Sequence, residues 1–63
     1  MRLTIILGLD HAETESKAHE AARILTELAE QIRTKPSGIE VGDMHILRDV
    51  NGNRVGVADV FND

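Results

Sequence analysis

The chain has 63 residues, seven Lys and Arg against eleven Asp and Glu for a net charge of −4, and no Cys, Trp or Tyr. That length fits one domain over residues 1–63, and so small a core buries only roughly 60% of the unfolded surface, which leaves the fold marginal without a disulfide, a metal or a partner chain. Lack of Cys removes disulfides and thiolate ligands; the negative balance opposes phosphate-backbone binding; and with Phe61 as the sole aromatic there is no stacking platform for single-stranded nucleic acid.

Leu3 to Leu9 reads as the first strand, with Leu3, Ile5 and Leu7 on one face and Ile6 on the other. A strand apolar on both faces is ordinarily buried on both, and a single helix covers only one. The run from Met1 to Leu9 is too short to span a bilayer. Asp10-His11 stands where a signal peptide would place a small-residue cleavage site. No membrane association is expected, and a cytoplasmic location fits the absence of Cys.

Asp10 to Ser16 is a polar lead into a helix. Asp10 with Glu13 would make a capping box, Thr14 and Ser16 are equally competent caps, and the sequence does not choose among them. From there to about Arg33, Ala18, Ala21, Ala22, Leu25, Leu28, Ala29 and Ile32 recur at steps of three and four, with Ile24 on the flank of the stripe. Arg33 and Lys35 suit the negative end of the helix, and Pro36 and Gly38 end it.

Asp43 to Arg48 is the second strand and Arg54 to about Phe61 the third, joined at Asn51-Gly52. Two turns compete. A type I′ turn on Asn51-Gly52 opposes Leu47 to Gly56. A type I turn over Asp49-Val50-Asn51 with Gly52 left-handed opposes Leu47 to Val55 and His45 to Val57. The second is favoured, because Asp49 is a preferred first residue of a type I turn and its carboxylate bonds turn amides. Gly56 marks a bulge or a close backbone approach. The expected fold is α+β: a two-layer β-α-β-β unit whose three-stranded antiparallel sheet, in order 1-3-2, carries one helix on one face. The first and second strands are then parallel and non-adjacent, joined by a right-handed crossover.

The pattern Ile24-Leu25-x-x-Leu28-Ala29, followed by Leu47-Arg48-Asp49-x-Asn51-Gly52-Asn53-x-Val55-Gly56, resembles small uncharacterised proteins encoded in bacteriophage and prophage genomes. In these a strand, an amphipathic helix and an LRDxNGNxVG hairpin recur at similar spacing. The resemblance implies an origin and carries no activity, cofactor or functional residue.

Candidate chemistry is sparse. His11, His19 and His45 are the histidines; Glu15 and Glu20 flank His19, but a metal site needs three or four ligands. His45 reads as a half-buried strand residue on the face of Leu47. Ser16 reads as a cap and Ser37 as part of a turn, and no Gly-rich turn leads into the helix to cradle phosphate. Glu13, Glu20 and Glu27, with Glu30 nearby, form an acidic stripe that would mimic a nucleic-acid backbone, but Lys17 and Arg23 interleave as in an ordinary salt-bridged helix surface. No catalytic, metal-ligating or cofactor-binding residue is assigned.

The favoured hairpin places Leu3, Ile5, Leu7, Leu47, Val55 and Val57 beneath the helix and Ile6, Met44, Ile46, Ala58 and Val60 on the opposite face. An uncovered apolar patch of that kind marks an interaction surface. The expectation is a non-enzymatic protein-binding module that forms a homodimer through this face or an edge strand, with a host or phage protein as a further possible partner. The alternative is a nucleic-acid-associated or DNA-mimicking regulator; a metal-dependent or hydrolytic enzyme ranks third.

Overall fold

A computed structural model describes residues 1–10 and 17–62. The elements run β1 (Arg2–Leu7), α1 (Lys17–Thr34), β2 (Met44–Arg48) and β3 (Arg54–Phe61). They form a small α+β fold whose three-stranded antiparallel sheet has the order β1-β3-β2, as the sequence predicts. β1 stops at Leu7 rather than Leu9, although the Gly8 amide still donates to the Val55 carbonyl at 2.8 Å. Of the competing helix caps, Glu13, Thr14 and Ser16 lie outside the described residues.

α1 is built from good helix formers and carries Arg23 between Glu20 and Glu27, at i,i+3 and i,i+4 spacing, with both carboxylates bonded to its guanidinium. The helix rotates part-way from the predicted stripe, keeping Leu28 and Ile32 toward the core. Its buried residues are Glu20, Ile24 and Leu28, whereas Ala18, Ala22, Leu25 and Ala29 are exposed. The rotation brings Ile24 inward in place of Leu25, so that an i, i+4, i+8 row of branched side chains faces the sheet, Ile24 and Leu28 buried and Ile32 partly buried. Ile24 and Leu28 meet Leu47 and Ala58, with Leu7, Ile32 and Val55 packed around them.

The β2–β3 hairpin turns as favoured, but its strands pair otherwise. The Gly52 amide donates to the Asp49 carbonyl at 3.0 Å and the Asp49 amide to Asn53 at 2.9 Å. Gly52 has φ 85° and, among the described residues, no non-glycine residue has positive φ, which excludes type I′ because that turn needs Asn51 left-handed too. The Asp49 carboxylate accepts the amides of Asn51 at 2.9 Å and Asn53 at 2.8 Å. Beyond the turn, Arg48 opposes Arg54 but Leu47 opposes Gly56. Val55 is therefore an extra residue, a second bulge that shifts the register by one.

That shift corrects the predicted faces, since a one-residue slip moves side chains across the sheet. Gly56, Ala58 and Val60 stand over Leu47, His45, Leu7, Ile5 and Leu3 on the helix side. Val57 moves to the far side. Gly56 also supplies the close approach: a Cβ there would lie 2.1 Å from the Ile6 carbonyl oxygen.

Candidate interaction surface

Among the described residues, no helix lies over the far side of the sheet. Its side chains fall into rows set by the register. Ile6, Val57 and Ile46 form one row across the three strands; Thr4, Asp59 and Met44 form the next; Arg2 and Phe61 form the last. Ile6 is 63% and Met44 59% exposed, while Ile46 and Val57 are half-buried by their neighbours. The Arg2 guanidinium lies 5.8 Å from the centre of the Phe61 ring, within cation–π range.

Of the predicted surface residues, Ile6, Met44 and Ile46 are brought together on this face. Ala58 and Val60 are not: they are 0% and 3% exposed, on the helix side. The Val55 bulge is the cause, and it exchanges them for Val57, Asp59 and Phe61. The sequence holds one signal for this slip, the Val55-Gly56 pair in mid-strand, where a glycine admits a bulge and a close strand contact. Asp59 places a carboxylate, half-buried, at the centre of the face.

The helix side is incompletely covered as well. Leu3 and Ile5 share it with Leu7, yet remain 38% and 41% exposed. The core lies over β2 and β3, so the helix leaves the outer half of β1 bare.

Polar residues anchor the other end of the molecule. Glu20, predicted on the solvated stripe, is buried. Its hydrogen bond with Arg23 is the main cause holding its carboxyl below the ordinary range, against the opposing effects of burial and of the Asp49 charge. Arg23 also donates to the Arg48 carbonyl at 3.3 Å, so the pair joins α1 to the base of the hairpin. Glu27 is held by Arg23 at 2.9 Å and Glu30 by Arg33. Burial pushes Asp49 up, but the Asn53 and Asn51 hydrogen bonds outweigh it and leave it lowered. In the loop before β2, Lys35 donates to Asp43 at 2.6 Å and the Glu40 amide donates to the same oxygen at 2.9 Å. The Lys35 bond leads the lowering of Asp43.

His11, Glu13 and Glu15 lie outside the described residues. His45 is half-buried opposite Ala58, on the face of Leu47 as predicted, and His19 is exposed on α1. Among the described residues there is no cluster of three potential metal ligands, no pocket, and no helix long and apolar enough to cross a membrane. Comparison with family models, curated proteins and solved structures finds no match to the chain.

Proposed function

We propose that the chain is a small non-enzymatic protein-binding module that works as a homodimer in the cytoplasm, with a phage or prophage origin as its hairpin pattern suggests. One observation carries this reading: the sheet keeps apolar side chains in water, Leu3 and Ile5 along the β1 edge and Ile6, Met44 and Phe61 around Ile46 and Val57 on the open side. Apolar surface gains about 25 cal/mol per Å² when removed from water, and a chain this short has little core of its own to offset leaving it bare. A second copy, or another protein, supplies the missing cover.

The DNA-mimic alternative has less support. Burial of Glu20 takes one carboxylate out of the acidic stripe, and Glu27 and Glu30 are both paired with arginines, which weakens the field a mimic needs.

Light scattering on a sizing column, loaded over a hundredfold concentration range, tests the proposal. A mass near twice the 6.9 kDa chain, falling only at the highest dilutions, is expected. A single-chain mass at every loading refutes self-association.

A further inference from the structure

We infer that the homodimer forms by antiparallel pairing of β1 with β1 of a second copy, which joins two sheets into one six-stranded sheet. The inference rests on the homodimer reading above and selects one of the surfaces that reading leaves available.

β1 is an edge strand. The Gly8 amide points toward β3, where it donates to Val55. Because amides alternate along a strand, those of Ile6, Thr4 and Arg2 point the same way, and those of Leu3, Ile5 and Leu7 point outward. Natural edge strands are usually guarded by an inward-pointing charge, a proline or a bulge of their own. β1 carries one charge, Arg2 at its first position, and Leu3-Thr4-Ile5-Ile6-Leu7 holds no charge, proline or bulge.

The strand is also complementary to itself. With Ile5 opposite Ile5 of the second copy, Leu3 falls opposite Leu7 and Thr4 opposite Ile6. All the outward-facing amides then meet as hydrogen-bonded pairs. On the helix side this register gathers Leu3, Ile5 and Leu7 from both copies, covering the two side chains that the chain's own helix leaves bare. Arg2 falls opposite Gly8, at the end of the ribbon.

The rival is face-to-face stacking of the open sheet sides. That would bring the Asp59 carboxylates into a dry interface, and a buried charge is costly unless fully paired. The β1 edge buries no charge. Edge pairing leaves Ile6, Met44, Ile46, Val57 and Phe61 on one continuous surface.

Single-cysteine variants of the cysteine-free chain test the register. Residues paired across antiparallel strands have Cα atoms about 5.5 Å apart, within disulfide reach. Ile5→Cys should therefore cross-link to itself under mild oxidation. Leu3→Cys should not, because in this register the two copies of residue 3 are offset by four positions, about 13 Å along the strand. In the unmodified chain, amides of Leu3, Ile5 and Leu7 should exchange hydrogen more slowly at high concentration than at low, with those of Met44 and Ile46 unchanged. If the mass is that of a dimer but Ile46→Cys cross-links and Ile5→Cys does not, edge pairing is overturned and the homodimer stands. A monomer at all concentrations overturns both. Concentration-independent exchange at Leu3 and Ile5 overturns edge pairing even if a cysteine variant fails to fold.

Discussion

Gly56 is the position at which the fold tolerates least. In Gly56→Ala the new Cβ would lie 2.1 Å from the Ile6 carbonyl oxygen and 3.0 Å from Leu7 Cα, where ordinary contact begins at 3.4 Å. These are backbone atoms, so no side-chain rotation relieves the overlap. β1 would have to move about 1.3 Å from β3, the shortfall between 2.1 and 3.4 Å. That motion would take the 2.8 Å bond from Gly8 to Val55 out of range. Overpacking costs about 1–3 kcal/mol and each lost hydrogen bond about 1 kcal/mol, giving a loss of about 2–4 kcal/mol. A 63-residue domain holds about 3–9 kcal/mol in all, so the variant should be partly or wholly unfolded. Urea denaturation followed by far-UV circular dichroism suits a chain without Trp or Tyr. The midpoint should fall by about 2 M or more, taking a slope of about 1 kcal/mol per M. Gly8→Ala is the control: its Cβ would meet the Val55 oxygen at 3.5 Å, an ordinary contact, and its stability should change by less than about 0.5 kcal/mol. A Gly56→Ala midpoint within error of the parent's would refute the close approach and, with it, the β1–β3 register.

The remaining predictions concern the hairpin, the core and pH. Gly52→Ala forces a left-handed residue onto a side chain and should cost about 1–2 kcal/mol in the same assay; no loss would contradict the turn assigned to Asp49–Gly52. Leu28→Ala removes a buried side chain from the centre of the helix–sheet contact and should cost about 2–5 kcal/mol, whereas Leu25→Ala, on the exposed side, should cost well under half as much; equal losses would mean the helix is rotated as the sequence predicts. Arg23→Ala should lower the midpoint more than Glu27→Ala, because it strands the buried Glu20 carboxylate as well as losing its own bonds; the reverse order would place Glu20 in water. Glu20, Asp43 and Asp49 all have carboxyls held below their ordinary values of 4.5, 3.8 and 3.8. The stability they contribute is complete above those values and lost as pH falls through the lowered ones, so the urea midpoint should decline below about pH 4.5; a midpoint as high at pH 3 as at pH 7 would contradict the three pairings.

Element order, sheet order and which strands neighbour one another were legible in the sequence because each rests on a local signal: a β-branched run, a helical period, an Asp-x-Asn-Gly turn. The faces were less so. Alternation assigns faces only once the register is known, and the register depended on Val55, a residue that looks like any other strand valine. Whether a bulge forms there is settled by the fit of β3 between two neighbours, with Gly56 pressed against Ile6 on one side and Leu47 opposite on the other. The helix was misread for a related reason. Ile24 and Leu25 are adjacent, either can centre a stripe, and the choice falls to the side that also lets Glu20 and Arg23 reach the base of the hairpin, a contact with residues far along the chain. Within the candidate surface, Ile6, Met44 and Ile46 were legible because their strands follow plain alternation from well-marked ends, while Val57 and Asp59 lay beyond the bulge.

Small-angle X-ray scattering through a dilution series tests most directly whether the chain self-associates. A homodimer gives the forward scattering of two chains and a radius of gyration well above the 12.3 Å of the single fold. Forward scattering of one chain, with a radius close to 12.3 Å at every concentration, would contradict it.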